Sequence, residues 1–501
     1  MACLNKLSLV ILSVLVLTAS LASATQDPEL KQCRHQCKHQ RGFEEEQRQQ
    51  CEQRCEEYIR EKKHREREEE GYSRRSRESR EEEEEKEESG ERIEQNNPYL
   101  FEAEHFDTSV RTEEGRVHIL KKFTERSKLL KGIENYRVGF LEANPHAFVA
   151  PVHFDADVIF FVASGRPTVT LLREEKRETF NLERGDVVHI PAGTPAYIVN
   201  RDEREKLFIV NLINPVYLPG EFESFHGPGG EDPESFYKAF SWKVLKAAFK
   251  RDRDEIERLF GQQKRGGITK ASREQVEELS RHAEGGGGGG PIWPFKGETK
   301  GPFNLFRKHP VSSNRYGSLF EANTEDCKDL EDLNLMISFA NITKGAMIAP
   351  NYNSKATKMS FVVDGEGWFE MACPHTPSEQ GRQRGGGSAW QGEKSGKKFK
   401  RITGRLRRGM VFVVPAGHPV TAIASQNTNL QILCFEVNAK GNTRYPLAGR
   451  KNIVNNMDNV AKELAFGVPA REVERIFKSQ NEEFFFPGPT QQEEGGHRAY
   501  M

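Results

Sequence analysis

One pattern of nine residues occurs twice in this chain. Gly185-Asp186-Val187-Val188-His189-Ile190-Pro191-Ala192-Gly193 is echoed by Gly409-Met410-Val411-Phe412-Val413-Val414-Pro415-Ala416-Gly417. Each is a short apolar run ended by Pro-Ala-Gly, which reads as a strand, a tight turn and a returning strand. A second pair follows in the same order. Asp254-Glu255-Ile256-Glu257-Arg258-Leu259-Phe260 is matched by Arg471-Glu472-Val473-Glu474-Arg475-Ile476-Phe477, each with large apolar residues spaced for one helix face. Strands followed by a helical arm, twice over, mark an internal duplication. With 501 residues the chain is long enough for two such lobes, each with its own core.

Runs 156–163 and 207–213 are short, apolar and rich in Val, Ile and Phe, bounded by turn residues, and are predicted as strands. Three helices are predicted after them. Residues 241–250 turn Leu245, Ala248 and Phe249 inward, and 252–260 turn Ile256, Leu259 and Phe260 inward. Ser272-Arg273-Glu274-Gln275 is a capping box that opens the third, with Val276 and Leu279 inward. The glycines of 285–290 form a flexible linker. The expected boundaries are a first lobe at 97–284, a linker at 285–301, a second lobe at 302–490 and a tail at 491–501. The second half differs by an exposed insertion at about 376–398, rich in Gly, Gln, Arg and Lys.

Upstream of the lobes the chain has another character. Lys6, an apolar run over 7–17 and the small residues Ala22-Ser23-Ala24 predict a secretory signal over 1–24, and the run is too short to span a bilayer. A secretory route permits disulfides. Of the 8 cysteines, Cys3 leaves with the signal, so an odd number remains and at least one stays outside a disulfide. In the leader, 25–62, Cys33 and Cys37 lie four apart, as do Cys51 and Cys55, with Gly42 midway. Four-residue spacing puts each pair on one face of a helix. Two antiparallel helices would join Cys33 to Cys55 and Cys37 to Cys51. A stapled spacer with no activity accounts for that spacing as well as an active peptide does. Residues 63–96 are almost all Glu, Arg, Lys and Ser and cannot bury an apolar face, so they read as a disordered linker or a single solvated helix. Over the whole chain 74 basic and 75 acidic residues nearly cancel, which gives no charge-based case for nucleic acid or a membrane surface as partner.

The first repeat, continued by Thr194-Pro195-Ala196-Tyr197-Ile198-Val199-Asn200, resembles the second cupin motif, G-x5-P-x-G-x2-H-x3-N. Gly165 and Gly365 stand where the glycine closing the first cupin motif belongs. Two cupins, a helical arm after each, a Cys-paired charged leader and a secretory signal together resemble the vicilins, the 7S globulins of seeds. The leader alone resembles the α-hairpinin peptides. The resemblance implies a mainly β bicupin, two antiparallel barrels of the jelly-roll type. It also implies a homotrimer closed by the helical arms, delivery through the secretory pathway to the protein storage vacuole, and digestion on germination. It brings two rivals to storage: release of the hairpin as a defence peptide, and a small ligand in a barrel mouth, as in related sucrose-binding proteins.

Many cupins are enzymes that hold manganese or iron with His-x-His and Glu from the first motif and His from the second. Ungapped counting from Gly165 puts Pro151, His153, Val158 and Ala196 at those places; counting from Gly365 puts Asn351, Asn353, Lys358 and Val420 there. Only His153 keeps a ligand type, and it is expected to be a hydrogen-bonded structural histidine. Enzyme chemistry at the usual cupin site is therefore not expected. Another set remains. Cys373 and His375 follow the strand-like run 359–371, and His418 lies in the Pro415-Ala416-Gly417-His418 turn. This resembles the Cys-x-His plus His pattern with which some vicilins bind copper. Thiolate and imidazole favour copper, with zinc the runner-up. Tyr99 is a candidate neighbour. A copper site would raise a further rival, a protein that disproportionates superoxide. The plain alternative is that Cys373 is a small buried hydrophobe. Asn341-Ile342-Thr343 is a candidate glycosylation sequon.

Overall fold

A computed structural model describes residues 97–281, 283, 301–374 and 399–489, with positions 51, 53–55, 57 and 60 of the leader. The chain divides into two units, Met1–Arg92 and Ile93–Met501. In the first unit the described positions are helical, and Cys51 and Cys55 on that helix are both disulfide-bonded. Cys33 and Cys37, like the predicted signal, the charged linker and the 376–398 insertion, lie outside the described residues. Among the described residues no helix is long and apolar enough to cross a membrane.

The second unit is a bicupin of four antiparallel sheets, two facing each other in each lobe. In the first lobe, one sheet centres on strands Asp186–Ile190, Ala156–Ser164, Leu207–Pro215 and Arg137–Ala143, and the other on Ala147–Phe154, Ala196–Asn200 and Pro167–Leu172. In the second lobe the matching strands are Val411–Val414, Thr357–Asp364, Leu430–Val437 and Leu335–Ile342, opposite Glu366–Cys373 and Val420–Ala424. The lobes exchange their outermost strands. Leu100–Phe101 pairs with Val411–Val414 of the second lobe, and Phe303–Asn304 pairs with Asp186–Ile190 of the first. The boundaries expected at 97 and 302 are therefore crossed by one short strand in each direction.

This architecture explains why the central strands read as unbroken apolar runs. Alternate residues of a strand face opposite sides. In Ala156–Ser164, Val158, Phe160 and Val162 fill the lobe's own interior, while Ile159, Phe161 and Ala163 join a core shared with the second lobe. Both faces are buried, so the usual alternation with polar residues disappears. Aromatic rings close the seam between lobes: Phe161 stacks on Phe339 at 5.8 Å and Phe208 meets Phe361 at 6.0 Å. Ionic contacts cross it too, among them Arg307 Nη2 to Glu183 at 2.7 Å. His189 Nε2 donates to Asp157 at 3.0 Å, and Nδ1 lies 3.4 Å from Asp329 on the second lobe's helix Lys328–Asp332.

The run 359–371, which reads as one strand, is two. Thr357–Asp364 and Glu366–Cys373 belong to different sheets and meet at Gly365, whose φ of +86° breaks the strand. A Cβ there would lie 1.8 Å from the Asn429 carbonyl oxygen, so only glycine makes this corner. Gly165 makes the same corner in the first lobe, also with a φ of +86°.

The three predicted helices are present as Trp242–Phe249, Arg253–Gly261 and Arg273–Arg281. The capping box forms: Ser272 Oγ accepts from Gln275 N at 3.2 Å, and Gln275 Oε1 accepts from Ser272 N at 2.8 Å. The stripes need correction. Leu245, Ile256 and Phe260 are buried together, but Ala248 and Phe249 are exposed and Leu259 is 67 % exposed. In the second arm Val473 is buried and Ile476 is 63 % exposed. None of these helices buries all of its predicted apolar positions against its own lobe, and the outer ones turn away from it.

Candidate functional site

Strand register places the residues that face each lobe's interior. Ala196 pairs with Val152, and Val420 pairs with Asn351. Phe225 pairs with His153, and Tyr445 with Tyr352. The two turn glycines agree: Gly193 N donates to the Phe154 carbonyl and Gly417 N to the Asn353 carbonyl, both at 2.8 Å. The first-lobe partners of Asn351 and Asn353 are therefore Val152 and Phe154. Counting from Gly165 misses by one because the connection from Phe154 to Val158 is one residue shorter than that from Asn353 to Lys358. A shift of one residue turns every side chain to the other face. His153 thus points away from the interior. Among the described residues its contacts are with aromatic rings: it stacks on Phe225 at 5.0 Å and lies edge-on to Phe236 at 6.0 Å. The interior positions are Val152, Phe154, Val158 and Ala196 in the first lobe and Asn351, Asn353, Lys358 and Val420 in the second. None is a histidine or a carboxylate.

The second lobe fills the vacated place with an ion cluster. Glu436, fully buried on Leu430–Val437, accepts from Asn353 Nδ2 at 2.6 Å, Ser338 Oγ at 2.7 Å and Arg444 Nη2 at 3.3 Å. Lys358 Nζ lies 4.0 Å away, and Arg444 also pairs with Glu321. Burial opposes ionisation of Glu436, but Lys358 and Arg444 prevail and hold its pKa below the ordinary value. Arg444 behaves in the opposite sense. Burial lowers its pKa, and Glu321 and Glu436 more than restore it, so the guanidinium stays charged. A cavity of about 50 Å³ remains, bordered by Asn351, Lys358, Ser360, Cys434 and Arg444. That is room for water rather than for an organic ligand.

The first lobe lacks these charges. Its counterparts of Lys358 and Glu436 are Val158 and Ile213, paired with each other in the same register. Ser224 stands in the place of Arg444, opposite Phe154 as Arg444 is opposite Asn353. A cavity of about 380 Å³ results, walled mainly by Val, Ile, Leu and Phe side chains. Glu436 and Asn211 are the signals that sequence reasoning passes over. Each is a polar residue inside an otherwise apolar strand, where burial without a partner is costly.

The copper candidates lie at the end of the second lobe. Cys373 is buried at the close of Glu366–Cys373, and Ala372 N donates to the Pro419 carbonyl at 2.9 Å, which ties that end to the turn bearing His418. Tyr99, carried across by the exchanged N-terminal segment, sits beside both. Its Oη lies 3.4 Å from Cys373 Sγ, and its ring centroid is 6.3 Å from that of His418. Burial, then the Cys373 contact, raises the Tyr99 pKa, so the phenol stays protonated. His418 Nδ1 donates to the Ala416 carbonyl at 3.1 Å, which leaves Nε2 as the basic nitrogen of the neutral ring. His375 lies outside the described residues. Among the described residues no group of three His, Cys, Asp or Glu side chains is gathered for a metal. Cys327, Cys373 and Cys434 are all buried thiols. Asn341 occupies an inner strand, paired on both sides with Ser318 and Gln431.

Comparison with known proteins agrees with this architecture. The cupin family model matches residues 111–255 and 303–473. A vicilin of Juglans regia is 59 % identical over 494 residues, spanning 98 % of this chain and 98 % of its own length. The crystal structure of the vicilin of Corylus avellana, hazelnut, matches with a TM-score of 0.72 at 60 % identity, covering 78 % of this chain and 100 % of that one. A crystal structure of the vicilin of Solanum melongena, described as having different anionic ligands in structurally similar pockets, matches with a TM-score of 0.72 at 38 % identity, covering 79 % and 99 %. With two cupin lobes in tandem, a helical arm after each and near-full-length similarity to vicilins, the chain belongs to the vicilin family, the 7S seed storage globulins of the cupin superfamily.

Proposed function

We propose that this seed storage protein accumulates as a homotrimer in the protein storage vacuole, reached by the secretory pathway, and is digested on germination. The observation that carries the trimer is the pair of unpartnered apolar faces on the two arms. Leu259, Val244 and Phe249 on one, and Ile476, Val460 and Leu464 on the other, are exposed in a single chain. A head-to-tail contact between such arms closes a ring when its rotation permits. Each large side chain contributes roughly 1.5–3 kcal/mol when fully buried. Light scattering of the purified protein should give three chains per particle, and Leu259→Asp with Ile476→Asp should give monomers. An unchanged trimer in that variant rejects the arms as the interface.

The same lobe architecture supports a copper site of Cys373, His375 and His418, with Tyr99 beside it and zinc as the competing metal. In its favour, Tyr99 touches Cys373 and flanks His418, so thiol and imidazole border one phenol. The donor types fit: a soft sulfur and imidazole nitrogen suit copper ahead of calcium, magnesium or manganese. Bound copper would supply one-electron redox chemistry. This chain's residues would fix its position, with the Ala416 carbonyl setting the His418 tautomer. Metal analysis should find copper in the wild type and much less in Cys373→Ser and His418→Ala. Equal copper in all three, or none in any, overturns the site. A superoxide assay on the copper-loaded protein separates metal storage from turnover.

Small-ligand binding in a barrel mouth is a further part of this reading. The Solanum melongena vicilin is described with anionic ligands in its pockets, and the first lobe of this chain holds an open cavity. Saturable binding of a small molecule by the intact protein, lost when that cavity is filled by mutation, tests it.

A further inference from the structure

Protein interiors are close-packed, and a void larger than a few waters needs a reason. The first lobe keeps about 380 Å³ open between its two sheets, where the same space in the second lobe is reduced to about 50 Å³. Its walls are apolar, with Ile119, Leu141, Val158, Phe160, Ile198 and Ile213 among them. Polar side chains line the space as well, and two of their buried atoms stand without a hydrogen-bond partner among the described residues. Asn211, only 7 % exposed, lies on the wall, and its Oδ1 has no hydrogen-bond partner among the described residues. His226 lies at the rim. One ring nitrogen bonds the Pro151 carbonyl, and the other, Nδ1, is buried without a partner among the described residues. Burial lowers the His226 pKa, so the ring is neutral near pH 7 and Nδ1 presents a lone pair.

Both atoms are acceptors, and both want a donor. The charges around them do not favour an anion. Asp107 and Glu223 line the rim, and the one Lys or Arg among the described residues that line it, Arg137, already donates to the Leu120 carbonyl at 2.8 Å and the Gly220 carbonyl at 2.9 Å. A carboxylate would bring no proton to Asn211 or His226 and would meet two negative neighbours. A hydroxyl can donate to either atom, and it can also accept from the Asn211 amide, whichever way that group is turned.

We propose that the first lobe's interior is a binding site for a small, predominantly apolar molecule that carries a hydroxyl group, of the phenol or alcohol class. The proposal rests on the reading that a barrel mouth takes a small ligand, and it narrows the class of that ligand. The second lobe is not such a site, because Lys358, Glu436 and Arg444 occupy the equivalent space.

The test uses the full chain in its native assembly and three matched probes: 2-naphthol, 2-methoxynaphthalene and 2-naphthoate. Binding is followed by probe fluorescence and equilibrium dialysis. 2-Naphthol should saturate one site per chain and bind about tenfold more tightly than the ether or the carboxylate, the difference one well-placed hydrogen bond makes. Val152→Trp, which fills the mouth, should abolish the site while thermal unfolding and assembly stay as in the wild type. Asn211→Leu should keep binding of the ether and erase most of the preference for the alcohol. If 2-naphthoate binds as tightly as 2-naphthol at a site that Val152→Trp abolishes, the barrel-mouth reading stands and the hydroxyl class is overturned. If no probe saturates a site sensitive to Val152→Trp, both are overturned.

Discussion

The two lobe interiors share one backbone register and reach opposite chemistry. Where the second lobe has Lys358 facing Glu436, the first has Val158 facing Ile213. Where the second has Arg444 beside Asn353, the first has Ser224 beside Phe154. Strand alternation decides which positions look inward, but not what stands there. A duplicated fold can therefore use the same sites in two ways. One lobe fills these inward positions with an internal ion network and closes its interior. The other replaces every charge with an aliphatic or small side chain, leaving the space open and apolar.

The largest effect that can break this contrast is at Glu436. Removing one partner of a buried ion cluster strands the other, at a typical cost of about 3–5 kcal/mol. Glu436→Leu should lose that much stability in urea unfolding at pH 7. Ile213→Leu, its counterpart, should lose under about 1.5 kcal/mol, since volume and polarity are kept. Lys358→Met added to Glu436→Leu should recover part of the loss. Equal losses at Glu436 and Ile213 would mean the two interiors are energetically alike.

Acid should separate the lobes by the same mechanism. The folded Glu436 pKa lies below its ordinary value of 4.5. Its contribution is thus complete above about pH 4.5 and disappears as pH falls through the lower folded value. Hydrogen exchange between pH 6 and pH 3 should show Leu430–Val437 losing protection before Leu207–Pro215. Simultaneous loss would remove Glu436 as the cause.

The seam between lobes gives a smaller effect with the opposite sign. His189 is raised from an ordinary 6.5 to about 9. Burial alone would lower it, and Asp157 and Asp329, the two charged groups that face it, more than compensate. Because the folded value is the higher, the stabilisation is complete below about pH 6.5 and is lost as pH rises through about 9. It amounts to roughly 1–3 kcal/mol after allowance for partial solvent access. The melting temperature of the wild type should fall toward that of His189→Gln between pH 7 and pH 10. Its positional counterpart is Val413, which has no charge to lose, so Val413→Ala should show no such pH dependence.

The smallest expected change is at Asn211. An unpaired buried amide costs stability, so Asn211→Leu should leave the melting temperature unchanged or raise it by the equivalent of about 1 kcal/mol. A marked fall would show that the amide holds the fold rather than a ligand.

The corners of both lobes are legible in the amino-acid sequence alone. Gly165, Gly365 and the two Pro-Ala-Gly turns mark them, because only glycine takes the backbone angles those corners need. The capping box at Ser272 needs only the four residues that form it. Local chemistry of this kind is complete within a few residues. The lobe interiors are less legible. His153 falls one position out of register, since the connection from Phe154 to Val158 is one residue shorter than its counterpart from Asn353 to Lys358, which ungapped counting from Gly165 cannot register. Leu259 and Ile476 share a helical stripe with buried neighbours, and only the width of the available neighbouring surface turns them outward.

The sequence by itself determined the duplication, the cupin corners and the helical arms, because each depends on residue type and near spacing. Only the tertiary structure decided that Tyr99 crosses to Cys373, that Lys358 meets Glu436, and that one interior is open and the other closed. Those outcomes depend on which strands become neighbours after a chain of hundreds of residues closes on itself. No local pattern carries that information, because the free energy that selects it is spread over contacts between distant segments.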